Sequence, residues 1–600
     1  MDKTTPATEY RSRLARWEEE RIRQHRQYRR LGNVRLATGA LFALLAALSL
    51  GAEWMSPWWM AVPLVGLFAL GLVLARTERA WQRASRAVTF YGRGLARLED
   101  RWIGGGNQSL ELRPADHLYA EDLDLFGPGS LFELLATGRT GTGDRTLAEW
   151  LLAPADREVV IARQKAVAEL APRLDLREDL ALLGDDIRAA VDDRTLEEWG
   201  ARPPVKFFAG ARLVLGVLGA AGLTTLVMWL AGAATLLPLL VVVLFELSVG
   251  MLMQHSVEQV TGSVNSPARE LRLIAEMLGR LEVEKVESPA LRVLQQRMTA
   301  GGFNATKQIE RLQRLVERME WGHNQMFGII AWPLMWIPQF AISIEAWRQQ
   351  CGPLLGDWVR AAAEFEALIA LATFSYERPE AVFAELLDAG GETGLRYTAE
   401  GLVHPLIPRA EAVANDVALG GVERMWIVSG SNMSGKSTLL RAIGVSVALG
   451  WAGAPVTTKS LAMTRLEVGA SLRTSDSLTD NRSRFYAEIT RLKNIADRAK
   501  AGHPVLFLLD ELLSGTNSHD RRIGADALLN GLVERGAIGL ATTHDLALAG
   551  IAERMGEKAR NVHLEDHLEG GEIRFDYRLR PGVVERSNAI QLMRAVGLDV

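Results

Sequence analysis

Gly430, Ser431, Asn432, Met433, Ser434, Gly435, Lys436, Ser437 and Thr438 follow one another in the pattern G-x-x-x-x-G-K-[ST]. In a loop of this kind, backbone N–H groups and a helix N-terminus wrap phosphate oxygens. Lys436 would reach the β and γ groups, and the Ser437 hydroxyl would ligate Mg²⁺. Further on, the apolar run 504–509 ends in Asp510 and Glu511. The first carboxylate is placed to hold Mg²⁺, the second to orient or deprotonate an attacking water. A third run, 539–543, ends at His544, where an imidazole could contact the γ-phosphate. The chemistry that joins the three groups is Mg²⁺-dependent ATP hydrolysis, with Glu511, Lys436 and His544 as the catalytic set.

These residues need elements that bring them together. The apolar run 425–428 precedes the glycine loop and 439–449 follows it, which predicts strand, loop and helix. Continuous apolar runs such as 504–509 are what parallel strands buried on both faces look like. All three groups sit where a strand would end, and parallel α/β sheets bind ligands at the carboxyl ends of their strands. Beyond residue 400, strand-like runs alternate with helical ones, so this part is expected to be an α/β domain with a parallel sheet.

The glycine loop resembles that of the MutS family, in which a proline usually stands at Ser431 and a glycine at Ser434. His404-Pro405, Ile407 and Asn415-Asp416 resemble the family's adenine-side segment. Val468, Ser471 and Asp476 resemble the approach to its signature loop, and Asn481-Arg482-Ser483-Arg484-Phe485 with Glu488 resembles that loop itself. By position, Ser483 would be the serine offered to the ATP of a partner subunit. Asn481 replaces a glycine there, and Asn tolerates φ > 0; Arg484 replaces a threonine and is a departure. Gly515, Thr516, Ser518 and Asp520 fit the loop after Asp510-Glu511, and Thr542-Thr543-His544 fits the switch histidine. Gly582, Ser587, Ala589 and Gly597 fit the terminal strand and helix. The likeness is specific over 401–598 and loose over about 120–200 and 255–400, where the helices resemble the family's core domain. It implies a homodimer through the ATPase domains, with ATP and Mg²⁺ in composite sites.

The rest of the chain departs from that pattern. Length exceeds one hydrophobic core, so several domains are expected. A formal net charge of −4 gives no overall basic signature for nucleic acid. Cys351 is the one cysteine, which excludes an intramolecular disulfide. Residues 1–35 read as a charged cytoplasmic helix. Residues 36–75 read as a transmembrane hairpin of two uncharged runs, with tryptophans at its turn (Trp54, Trp58, Trp59) and arginines outside both ends. Residues 76–205 read as helical core, 206–254 as a second hairpin broken near residues 231–235, 255–400 as the rest of the core, and 401–600 as the ATPase domain. Arginine placement puts the chain ends and the ATPase domain on the cytoplasmic side of the cell membrane. Glu246 is the one charge inside the second hairpin, near the end of its span. The run 326–344, with Trp332, Pro333, Trp336 and Pro338, is expected to be buried or interfacial rather than a fifth span.

No phenylalanine precedes Phe42, so the family's N-terminal Phe-x-Glu mismatch wedge has no counterpart, and the chain reaches Val600 without a helical extension or nuclease-type tail. Mismatch repair in the usual sense is therefore not expected. The expectation is a membrane-anchored ATPase with membrane lipid and a second copy of itself as partners, and branched or damaged DNA as a further one. The rivals are a transporter ATPase, whose Leu-Ser-Gly-Gly-Gln signature is absent, and a membrane-remodelling or signalling machine without DNA.

Overall fold

The computed structural model describes residues 5–51, 56–183, 193–322, 327, 331–388, 394–431, 434–472, 484–514, 516–569 and 572–584. The chain divides into two units, one of Met1–Thr137, Trp150–Leu183 and Leu371–Val600, the other of Gly138–Glu149 and Gly184–Ala370. The N-terminal two thirds are largely helical, and the C-terminal third is an α/β domain.

In the first unit a six-stranded sheet runs in the order Glu572–Pro581, Ala559–Glu569, Met425–Ser429, Ile538–Thr543, Val505–Leu509, Glu467–Ser471. All neighbours are parallel except the outermost pair, Ala559–Glu569 with Glu572–Pro581. Every residue of the Met425–Ser429, Val505–Leu509 and Ile538–Thr543 strands is buried. That is why they appear in the sequence as unbroken apolar runs rather than as alternation. Phe507, Ile495, Leu529 and Ile551 belong to the core packed on this sheet. Register is strict: Ala541 lies opposite both Ile427 and Leu509, and Thr543 opposite Ser429.

A smaller sheet pairs Glu385–Leu386, Ser460–Met463, Arg396–Leu402 and Asn415–Gly420 in that order. The strand-forming part of the chain therefore begins before residue 401. The helix Leu355–Glu377 stops just before Pro379, whose ring disfavours helix in the residue ahead of it, and the short strand Val382–Phe383 then pairs with Pro455–Val456.

The same unit holds the helices Pro6–Ala46 and Ala61–Leu98, which pack along each other. At 41 and 38 residues they are about 60 Å long. Their charged ends are anchored by Tyr10, Tyr91, Leu95 and Leu174, which form one buried cluster. Tyr10 Oη donates to Glu377 Oε1 at 3.2 Å, and Arg97 grips the same carboxylate with Nε at 2.7 Å and Nη2 at 2.6 Å. The Glu377 carbonyl accepts from Arg409 at 2.7 Å, and neighbouring Arg378 donates to the Pro405 carbonyl at 3.0 Å. Glu377 and Arg378 thus tie both helices to the edge of the α/β domain.

In the second unit, Ala305–Trp321 buries Ile309, Leu312, Val316 and Met319, the three- and four-residue spacing of an amphipathic helix. Ala211–Leu230 and Leu236–Val283 are separated by a turn in which Gly232 has φ +69°. Among the described residues, four helices are long and apolar enough to cross a bilayer, by length and composition: Pro6–Leu50, Trp58–Leu98, Ala211–Leu230 and Leu236–Val283. The run 326–344 is not among them. Among its described residues, a turn over 332–335 interrupts it and the helix starts at Trp336. Glu246 lies deeper than its neighbours in sequence suggest. Its helix continues to Val283, and about 15 Å of helix separates it from Leu236.

The Arg97–Glu377 pair supplies a prediction. With side-chain exposures of 12% and 5%, removing the cation strands a buried carboxylate. Arg97→Met is expected to lower stability by about 3–5 kcal/mol in denaturant unfolding, and Arg97→Met with Glu377→Gln to recover most of it. A single-variant loss no larger than that of a surface substitution would refute the anchor.

Candidate nucleotide-binding site

Parallel register delivers three sets of side chains to one edge of the sheet. The Met425–Ser429 strand runs into Gly430, which has φ +150°, and the loop closes at Gly435 with φ +94°. A Cβ on Gly430 would lie 2.7 Å from both the Leu564 carbonyl oxygen and Ser434 Oγ, so the close turn requires glycine. The helix Lys436–Ala452 begins immediately afterwards, and its N-terminal N–H groups lack intrahelical acceptors. Lys436 is buried, and its Nζ donates back to the carbonyls of Gly430 at 2.8 Å and Ser431 at 2.7 Å. Burial pushes its ammonium below the usual lysine range, while Asp510 and Glu511 pull the other way.

Ser437 Oγ donates to one oxygen of Asp510, and Thr542 Oγ1 donates to the other. Thr542 also accepts from the Glu511 backbone N–H at 3.1 Å, so the strand that leads to His544 fixes both carboxylate residues. Glu511 itself has φ +46°, an uncommon conformation for a residue with a Cβ. Its Oε1 lies 3.6 Å from His544 Nδ1, and both side chains are partly open to solvent. The turn after Glu511 is held by Glu488, which accepts from the Leu513 N–H at 2.6 Å. Arg521 donates to the carbonyls of Leu513, Ser514 and Thr516.

This donor set fits a Mg²⁺–triphosphate. A hydroxyl and a carboxylate stand side by side as hard oxygen ligands, next to a lysine and a helix N-terminus with glycine turns. Mg²⁺ in nucleotide sites is usually held by few protein ligands plus phosphate oxygens. Accordingly, no cluster of three or more His, Cys, Asp or Glu suited to a metal occurs among the described residues.

In the segment expected to lie beside adenine, His404 is buried, and burial together with the Arg441 charge drives its pKa down to about 4. The imidazole is therefore neutral at physiological pH. Its Nδ1 accepts from the Leu406 N–H at 3.3 Å. Asn415 ties the outer hairpin to this region, donating to the Tyr577 carbonyl at 2.9 Å and accepting from the Leu579 N–H at 2.7 Å. Asp416 accepts from the Gly401 N–H at 2.7 Å.

Asn432, Met433, Asp476, Asn481, Arg482, Ser483, Gly515, Ser587, Ala589 and Gly597 lie outside the described residues. Two residues that the sequence pattern did not single out belong to the site's surroundings. Tyr577 lies against the glycine loop, where a Cβ on Gly435 would meet its ring at 2.9 Å. Asp122, fully buried, joins three elements. Its carboxylate accepts from the Leu472 N–H at 2.7 Å and pairs with Arg491, while its carbonyl accepts from Arg441 Nε at 2.9 Å. Arg441 is on the helix that follows the glycine loop, and Arg491 on the helix Arg484–Lys500 that follows Ser483.

The comparisons with known proteins converge on this domain. The family model described as MutS domain V matches residues 426–599. The endonuclease MutS2 of Thermus thermophilus is 35% identical over 206 residues, 34% of this chain and 27% of that protein. The DNA mismatch repair protein MutS of Natronomonas pharaonis is 33% identical over 247 residues, 40% of this chain and 27% of that protein. The endonuclease MutS2 of Enterococcus faecalis is 30% identical over 200 residues, 33% of this chain and 24% of that protein. The chain thus spans about a quarter of the length of these relatives. The domain that carries the glycine loop, Asp510 and His544 is thus a MutS domain V, matched over residues 426–599.

Proposed function

We propose that the protein is a membrane-anchored ATPase that works as a homodimer, each ATP lying between two ATPase domains. The observation that carries the ATPase reading is the convergence of Ser437, Asp510, Thr542, Glu511 and His544 at the edge where Lys436 begins its helix. Lys436 would exchange its bonds to the Gly430 and Ser431 carbonyls for phosphate oxygens. Ser437 and Asp510 would hold Mg²⁺, which when bound neutralises charge developing on the phosphates. Glu511 would orient the attacking water and take its proton, with His544 beside it. Ser483 would reach the nucleotide of the partner.

Support for the membrane comes from apolar side chains with no protein cover. Leu36, Trp58 and Phe68 on the first helix pair are more than 70% exposed, as are Leu213, Met251 and Leu252 on the second. Exposed apolar surface on this scale marks an interaction site. Arg29, Arg30, Arg35, Arg76, Arg79 and Arg83 lie outside the first hairpin, so its ends and the ATPase domain would face the cytoplasm at the cell membrane. ATP-driven closure would then act on the membrane helices, or on DNA. The DNA reading draws on the relatives, which are named a mismatch repair protein and endonucleases. ATPase stimulation by branched DNA, set beside stimulation by lipid vesicles, separates it from a remodelling, signalling or transport machine.

Glu511→Gln is expected to keep ATP affinity while turnover falls by about 10²–10⁴-fold. Unchanged phosphate release would remove the role given to Glu511. Asp122→Asn keeps the shape but loses the charge that pairs with Arg491, and is expected to lower kcat by about tenfold with ATP affinity little changed. An unaltered kcat would show that this bridge has no bearing on turnover.

A further inference from the structure

Glu246 is 2% exposed, and neither carboxylate oxygen has a hydrogen-bond partner among the described residues. Two other buried carboxylates of the same unit are held differently. Glu345 takes two bonds from Arg348 and one from the Val205 N–H, and Glu366 takes the N–H groups of Arg139 and Thr140 and the Thr140 hydroxyl. Glu246 instead faces a niche cut by glycines. A Cβ on Gly222 of the Ala211–Leu230 helix would overlap Glu246 Oε1 and stand 3.0 Å from the Pro333 carbonyl oxygen. One on Gly219 would stand 3.0 Å from the Leu334 carbonyl oxygen. Small residues one turn apart thus admit both the carboxyl group and the turn at 332–335, in which Met335 has φ +46°.

Ionisable groups on the packed elements lie elsewhere. On the Ala211–Leu230 helix the one charged side chain is Arg212, which donates to Ser343 at 3.0 Å. On the carboxyl group's own helix the next ionisable groups are His255 and Glu258, more than two turns away. On Trp336–Cys351 they are Glu345 and Arg348, paired with each other, and the described residues 331–335 carry none. With about 15 Å of helix between Glu246 and Leu236, the carboxyl would sit midway through a bilayer core of about 30 Å. An ionised, unpaired carboxylate there is far more costly than a neutral acid.

We propose that Glu246 is a proton-binding site in the second helical hairpin, occupied by a proton in this arrangement and able to release it only as the Ala211–Leu230 helix parts from the turn at 332–335. Its depth rests on the membrane-spanning reading above; its burial and lack of partners do not. The test uses the full-length protein in phosphatidylcholine vesicles and two carbodiimides, which react with protonated carboxyl groups. One is the apolar dicyclohexyl compound and the other a water-soluble, cationic one. Peptide mass spectrometry reads the adduct at Glu246. The apolar reagent is expected to modify Glu246 at neutral pH and the water-soluble one not, with labelling lost as the pH is raised. Gly222→Ala should suppress labelling, whereas Gly216→Ala, where a Cβ meets open space, should leave it unchanged. Equal labelling by both reagents, absence of labelling in a preparation that still hydrolyses ATP, or protection by Na⁺ at constant pH would each overturn the proton site. Alkaline carbonate extraction checks the membrane reading separately: a protein stripped from the vesicles that still labels selectively keeps the proton site and loses the span.

Discussion

The nucleotide edge depends on the parallel register of three buried strands. Because Thr543 stands opposite Ser429, and Ala541 opposite both Ile427 and Leu509, the three strands end within two residues of one another in register. The residues that follow those ends, Gly430, Asp510 and His544, are then neighbours without any further device. A shift of one residue in any strand would turn its side chains to the opposite face and part Ser437 from Asp510. Thr542 acts within the same constraint. It is the penultimate strand residue, and its hydroxyl joins Asp510 to the Glu511 backbone, so sheet packing sets carboxylate position directly.

Around this edge the chain uses buried charge to connect distant segments. Asp122 joins the glycine-loop helix, the end of the Glu467–Ser471 strand and the Arg484–Lys500 helix. Glu377 joins both N-terminal helices to Arg409, in the segment that follows His404. Such pairs contribute less to net stability than their distances suggest, because desolvation offsets attraction. What they supply here is connectivity between segments far apart in the chain.

Much of the α/β domain was legible in the sequence because its physics is local. Buried parallel strands must be apolar throughout, and a loop that wraps phosphate needs glycines at fixed positions followed by a helix. The runs 425–428, 504–509 and 539–543 therefore showed both the strands and the residues at their ends. Asp122 was not legible, since its partner is 369 positions away and no periodicity marks it. Tyr577 was equally hidden: an aromatic residue in a hairpin strand is ordinary until the fold lays it against Gly435. The strand Val382–Phe383 was not legible, because two residues are too short to leave a pattern. The extent of the helix that carries Glu246 was hidden too, because charge alone does not show where a 48-residue helix stops.

The helix Ala61–Leu98 runs unbroken from beside the tryptophans of the first turn to Arg97, where it is clamped to Glu377. A rod of about 57 Å held at one end is a mechanical amplifier. Tilting it by about 5° at the clamp sweeps the far end through about 5 Å, close to one helical turn. Sub-ångström adjustments beside the nucleotide segment would therefore arrive at the distal tip as displacements comparable to the width of a lipid chain.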